Sequence, residues 1–455
     1  MSAVQPRVQQ PSDHSPSAIG SAFRGSHDDR SVRGLKILFL SHYFPPEVNA
    51  PASRTFEHCR LWAEAGHEVT VVTCVPNHPQ GRVFPGYRNA LYATEVSDGI
   101  RIVRLLTFVT ANRRMLRRTC NYAFFLAMAT LAAPFLKRAD VVITTSPELF
   151  NGLAGYGVSW LKRCPWVLEI RDLWPESIRA VGAIKRPRII NYLEKLEAFA
   201  YRNADAIVSV TRSFGPHIEA RGGHGKVTIV RNGVDLGLFV DQPRDTELAR
   251  AFGVEGRFVG AYVGTHGMAH GLDTLLDAAQ KLAHRPDIAF LMVGDGAEKK
   301  RLQARRDELG LTNVIMLDQQ PKEMMPRIWS VCDASLVLLR KTELFTKVIP
   351  SKIFESMAMG KPIILGVRGE SLGLVEAANA GIGIEPENAD ELAAAICRLA
   401  DDRALHQRMA ASGQALVREH FDRRKLAAQF LDLLEGVVAR RRSSASALSA
   451  AERPL

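Results

Sequence analysis

Short unbroken apolar runs recur along this chain, each followed by a stretch long enough for a helix. Lys36–Leu40 is the first, closed by Ser41-His42-Tyr43-Phe44-Pro45-Pro46. Runs of this kind suit strands buried on both faces of a parallel sheet, because such strands have no solvent face to alternate with. A helical pattern around Ser53 to Ala65 follows and ends at Gly66, and Glu68–Thr73 is the next run. Strand, helix, strand at this spacing is a βαβ unit, which closes only with a parallel sheet. Val141–Thr145, Trp166–Ile170, Ala206–Val210 and Lys226–Val230 continue the series.

A second series starts after Val234: Phe258–Val263, Ile288–Val293, Val314–Leu317, Ala334–Leu338 and Pro362–Leu365. Two such series in 455 residues predict an α/β protein of two doubly wound domains. The expected division is a disordered tail over 1–33, a first domain over 34–232, a second over 233–418, a terminal helix over 419–440 and a tail over 441–455. The hinge is expected near Arg231-Asn232-Gly233-Val234-Asp235.

Composition narrows the function classes. Hydrophobic residues make up 46% and the formal net charge is +11, so a soluble globular chain with an anionic partner is expected. Residues 1–33 lack the apolar stretch of a secretory signal. No aromatic-basic interleaving or recognised module points to nucleic acid. The six cysteines are scattered without metal spacing and read as buried free thiols. Residues 113–138 place arginines before an apolar stretch, Ala123 to Leu136, and Lys137-Arg138 after it. Three readings stand here: a buried helix of the first domain, a helix docked on an anionic membrane surface, or a transmembrane span, for which the stretch is short and interrupted by Pro134.

In doubly wound domains ligands bind at the carboxyl ends of the strands, so the loops there carry the candidates. The loop after the first strand lacks the G-x-G-x-x-G of a dinucleotide site, and nearby Arg54 and His58 read as solvated helix-face residues. Asp172 and Glu176, after the 166–170 run, are i, i+4 carboxylates suited to orienting a hydroxyl or accepting its proton, or else to capping a helix. Gly264-Thr265-His266-Gly267 opens a helix after a strand, where glycines let backbone approach a phosphate. Val293-Gly294-Asp295-Gly296 reads as a tight turn. A helix over Lys352–Met359, with Ser351 before it and Gly360 after, carries Glu355, whose carboxylate suits a ribose diol. Ser351 and Lys352 suit a phosphate.

These motifs, in this order, resemble the GT-B glycosyltransferases, specifically retaining glycosyltransferase family 4, from about Leu35 to Leu434. Arg231–Asp235 with Phe239, Tyr262 through Leu275, Met292–Gly296 and Ser351 through Ile364 carry the likeness. Asp172–Ser177 and Pro350–Glu355 are similar to a bacterial branch that builds surface polysaccharides of fucosamine and colanic-acid type. The resemblance implies a nucleotide-sugar donor, such as a UDP-sugar, in the second domain, and a lipid-linked or oligosaccharide acceptor in the first. It implies no metal or other cofactor, and a cytoplasmic protein in contact with the inner membrane. Glu355 would hold the ribose, Gly264, Thr265, His266 and Gly267 the diphosphate, and the Gln319-Gln320 region the base. The family's paired glutamates sit eight positions apart, and here Lys347 stands eight before Glu355. The arginine and lysine common in the 264–270 loop are replaced by His266 and His270. Arg340, Lys341, Lys347 or Lys352 would then supply the missing charge, and Arg171-Asp172 stands where a histidine is common near the acceptor. The catalytic candidates are Asp172, Glu176 and Lys347, and the donor candidates add Arg340, Ser351, Lys352 and Glu355. Two other readings, a non-catalytic scaffold on this fold and a sugar-nucleotide epimerase, are to be separated by turnover.

Overall fold

The computed structural model describes residues 34–78, 80–110, 115–146, 149–180 and 186–451. The expected tail over 1–33 lies outside them, as do Arg113 and Arg114.

The first sheet has eight strands: β1 (Lys36–Leu40), β2 (Glu68–Cys74), β3 (Tyr92–Ser97), β4 (Ile100–Leu105), β5 (Val141–Thr145), β6 (Trp166–Ile170), β7 (Ala206–Ser209) and β8 (Val227–Ile229). Their order is β3-β4-β2-β1-β5-β6-β7-β8, with only β3 antiparallel to its neighbour. The second sheet holds β9 (Phe258–Val263), β10 (Ile288–Val293), β11 (Val314–Leu317), β12 (Ala334–Leu338), β13 (Ile363–Gly366) and β14 (Gly381–Gly383). It is parallel throughout, in the order β11-β10-β9-β12-β13-β14. Strand order reverses at β1/β5 and at β9/β12, so each domain has a crevice at the carboxyl end of its central strands.

The continuous apolar runs are explained by burial on both sides. In β1, Leu38 and Leu40 enter one core cluster while Ile37 and Phe39 enter the other across the sheet. Each such side chain stabilises the fold by about 1.5–3 kcal/mol relative to exposure. The first-domain helices α1 (Ala50–Glu64), α2 (Met115–Ala132), α3 (Leu149–Lys162), α4 (Glu176–Ala180) and α5 (Pro187–Asn203) follow their strands. Asn49 caps α1 by accepting from Ala52 N at 2.9 Å. The final helix, Arg423–Ala451, packs on α1, where Trp62 donates to Ala427 O at 2.9 Å. It runs through most of the segment expected as a tail over 441–455.

Between the domains, Arg54 and His58 are buried, 3% and 1% exposed, which corrects their reading as solvated residues. Arg54 pairs with buried Glu169 at 2.8 Å and donates to Val230 O, Arg231 O and Asn232 Oδ1. It therefore ties α1, β6 and the linker together. Gly233 lies against the second crossing of the chain: a Cβ there would sit 2.3 Å from Phe421 O. Val234 N donates to Phe421 O, and Arg423 N donates back to Val234 O, both at 3.0 Å. Cys120 is exposed, against the expectation of buried thiols.

Candidate functional site

At the end of β9 two loops stack backbone on backbone. Gly264 and Gly294 both have positive φ, 139° and 148°. A Cβ on Gly294 would lie 1.9 Å from Gly264 O, and one on Gly296 2.4 Å from His266 O. Only glycine permits this approach. The stack is held by His266 N to Asp295 O and Glu298 N to His266 O, both 2.9 Å, and by Lys299 Nζ to Gly294 O, 2.7 Å. The 293–296 turn is thus the floor under the 264–267 loop.

His266 has a different place from the one expected. It is 0% exposed and cannot touch a ligand on the loop's outer side. Burial first, then Lys299 and Lys352, push its imidazole down to about 4, so it stays neutral and supports the loop from below. Thr265 and Arg340 are exposed, and Gly264, Gly267 and Ser351 are half-buried. Arg340 N donates to Ala269 O at 2.9 Å, joining the end of β12 to the same loop.

Lys352 opens the Lys352–Ala358 helix. Its ammonium is buried without a hydrogen-bond acceptor among the described residues and lies 3.7 Å from the Tyr262 ring centroid. A Cβ on Gly264 would be 3.0 Å from it, so the cation lies directly behind the loop. Burial pushes this amine down to about 7, against the opposing pull of Glu355. Glu355 is half-buried, and burial raises its carboxyl although Lys322, Arg423 and Lys352 pull the other way. Its carboxylate makes no hydrogen bond or ion pair with any described residue. Lys322, after β11, contacts Glu57 of α1, which also takes Arg423 at 2.9 Å. Sequence reasoning missed Lys322, Arg423 and Glu57, since three residues so far apart leave no local pattern.

Across the cleft, Asp172 is hydrogen-bonded to Ser177 and to Leu173 N, in the manner of a cap, and burial pushes it up to about 6. Behind it is a cavity of about 20 Å³, room for one water, lined by Ser146, Leu149, Glu197 and Tyr201 among others. Glu176 is 3.2 Å from His217, which reaches Glu197 at 3.0 Å. Glu197 also takes Tyr201 Oη and Arg221 Nε, at 2.8 and 3.3 Å. Lys347 comes from the second domain to 3.8 Å from Glu176. The candidates therefore form two groups: Asp172, Glu176 and Lys347 on one side, and the 264–267 loop, Ser351, Lys352 and Glu355 on the other. No cluster of three or more His, Cys, Asp or Glu suited to a metal occurs among the described residues.

Comparison with known proteins agrees with this architecture. Residues 49–233 match the family model described as glycosyl transferase 4-like domain, and 244–416 that described as glycosyl transferases group 1. The chain is 25% identical over 374 residues to WcaI of Escherichia coli (strain K12), named as a colanic acid biosynthesis glycosyl transferase, covering 80% of this chain and 91% of that one. It is 24% identical over 276 residues to the lipopolysaccharide core biosynthesis glycosyltransferase LpsE of Rhizobium meliloti (strain 1021), covering 59% and 74%. Among solved structures, sucrose-phosphate synthase from Thermosynechococcus elongatus matches with a TM-score of 0.73 at 18% identity, covering 89% of this chain and 99% of that one. Anabaena Alr3699/HepE in complex with UDP-glucose matches at 0.65 with 20% identity, covering 88% and 100%.

Proposed function

The chain belongs to the GT-B glycosyltransferases of the group 4 type, and we propose that it moves a sugar from a nucleoside diphosphate onto a lipid-linked or polysaccharide acceptor, with retention, in surface-polysaccharide biosynthesis. The observation that carries the donor half is the Lys352 ammonium behind Gly264, with Glu355 one turn further along the same helix. Among the described residues that buried cation has no acceptor and the Glu355 carboxylate no partner, and the loop in front of Lys352 is one that only glycine allows. Buried groups left unpaired weaken a fold, and a ligand that pairs them recovers that loss.

In this reading Glu355 accepts hydrogen bonds from the ribose diol. The diphosphate lies on the 264–267 backbone, with Lys352 behind it and Arg340 and Ser351 at its edge. Fixed positive groups offset the charge that grows on the leaving diphosphate. The bond from the sugar's anomeric carbon to the diphosphate breaks and one to the acceptor oxygen forms on the same face. Asp172 takes the acceptor's proton, and Glu176 and Lys347 close the cleft around it. The complexes of HepE with UDP and UDP-glucose support a uridine donor, and the names of WcaI and LpsE support a polysaccharide acceptor.

The test is a thermal-shift screen against uridine, guanosine and thymidine diphosphate sugars, since a ligand of the folded state raises the melting temperature by mass action. One nucleotide class is expected to shift it, and Glu355→Ala to abolish the shift. No shift with any donor, and no turnover with membrane acceptors, would overturn the reading in favour of a scaffold. Interconversion of the donor sugar without acceptor would replace it with an epimerase.

A further inference from the structure

Two cations act on two carboxylates at the junction of the domains, and they are shared unequally. Glu57, on α1 of the first domain, has both in contact. Lys322, from the stretch after β11 of the second domain, lies against its Oε1, and Arg423 Nε is 2.9 Å from its Oε2. Glu355 has neither, although the fields of both cations reach its carboxyl. The two sets are close in the fold. Phe354, next to Glu355, packs on Phe421, two residues before Arg423, with ring centroids 4.6 Å apart.

The two cations differ in freedom. Arg423 is buried, its Nη2 donates to Gly233 O, and its backbone N donates to Val234 O at 3.0 Å, so it is fixed to the crossing. Lys322 has a flexible four-carbon stem and a half-buried side chain, and Glu57 is its single hydrogen-bond and ion-pair partner among the described residues. Burial lowers the Lys322 amine, and of the acids opposing that, Glu355 acts more strongly than exposed Glu323. A Lys322 released from Glu57 therefore has Glu355 as its strongest alternative. Glu57 is buried, and its attraction for Lys322 is little screened by solvent.

We infer that Glu57 is a positioning residue for the donor: it holds Lys322 on the first-domain side of the junction and so leaves the Glu355 carboxylate open to the ribose diol. An ammonium seated on Glu355 would take the lone pairs that the two hydroxyls need. A side chain of the acceptor half thereby prepares the donor half, and the ribose is accepted in the arrangement that sets α1 against the stretch after β11. The inference rests on the reading of Glu355 as the ribose ligand.

The test is calorimetric titration of the full chain with UDP and with GDP, each beside its 2′,3′-dideoxy analogue. For the nucleotide that the parent binds, Glu57→Gln should weaken affinity about tenfold, as when Lys322 occupies Glu355 in nine molecules of ten. The dideoxy analogue has no diol to offer Glu355 and should lose less than about twofold. Lys322→Met alone should match the parent, and added to Glu57→Gln it should restore affinity to within about threefold. An ion pair that merely joins the domains would weaken nucleotide and analogue alike, and removing Lys322 would restore nothing. Equal loss for both ligands, no loss, or no recovery in the double variant would overturn the inference. If Glu57→Gln does not fold, Glu57→Asp keeps the charge but draws it back by one methylene, and the same cycle is read from a loss of about threefold. A parent that binds neither nucleotide more tightly than Glu355→Ala would overturn the reading of Glu355 and this inference with it, whereas every other failure leaves that reading standing.

Discussion

The two sides of the cleft treat their charges differently. In the first domain charges are paired: Arg54 with Glu169, Glu176 with His217, and Glu197 with Tyr201 and Arg221. On the second-domain side Lys352 has no acceptor and Glu355 no partner among the described residues. A paired buried charge is part of what holds the chain together, and its removal strands the remaining partner. An unpaired one is held in place by the rest of the fold and is available to a ligand. The contrast distinguishes groups that maintain the cleft from groups that await something in it.

The largest expected effect is on the paired side. Arg54→Met leaves buried Glu169 without its ion-pair partner, only Thr145 and the more distant Arg171 still acting on it, and frees the linker carbonyls, and should lower unfolding stability by about 3–5 kcal/mol, read by denaturant melts. An unchanged midpoint would show that this pair is not structural.

Lys352→Met inverts that outcome. Its thermal stability should hold or rise, because a buried amine without an acceptor is replaced by an apolar chain of similar length. Its donor affinity should fall by about 30- to 100-fold, as for loss of a charge-assisted hydrogen bond, measured by titration calorimetry. A destabilised variant with unaltered affinity would place Lys352 with the structural charges.

The pH profile sharpens the same division. Asp172, pushed up to about 6, carries its proton below that pH and cannot take another. Lys352, pushed down to about 7, loses its charge above that pH. kcat/KM for the donor should therefore rise through pH 6 and fall above pH 7, with Asp172→Asn removing the acid limb and Lys352→Met the alkaline one. Stability follows opposite signs for the two groups. Because Asp172 holds its proton more tightly folded than unfolded, its contribution declines as pH rises toward 6. Because Lys352 holds its proton less tightly folded, its contribution grows as pH climbs above 7.

The smallest effect is expected from Glu176→Gln. Its contact with Lys347 is long, 3.8 Å, and both that and its 3.2 Å contact with His217 are partly solvated, so turnover should fall about tenfold, roughly 1.4 kcal/mol, with the donor thermal shift intact. Loss of that shift would join the two sides into one site.

What could be read in advance follows from how local each feature is. β1, β5, β6, β9 and β10 are buried on both faces, so their apolar runs are visible in the chain. β3 is a half-solvated edge strand whose residues, Tyr92 to Ser97, are largely exposed, and its mixed sequence gave no such run. β14 is three residues of Gly-Ile-Gly paired to β13. At the site, the glycines at 264, 294 and 296 were legible as turn formers, but not as two loops pressed together, because contact between loops after different strands has no sequence period. His266 looked like a ligand because it sits among glycines, and only packing shows it turned inward. Glu57, Lys322 and Arg423 meet solely through the two-domain arrangement.

The hydrogen-bonded meeting of residues 233–234 with 421–423 has a kinematic consequence. Two crossings set apart would permit the domains to slide or twist as well as open. Two crossings tied to each other act as a single pin, and leave rotation about one axis as the low-energy motion. Lys347 and Glu176 would then travel on fixed arcs, and every closure would return the donor and acceptor halves to the same registration.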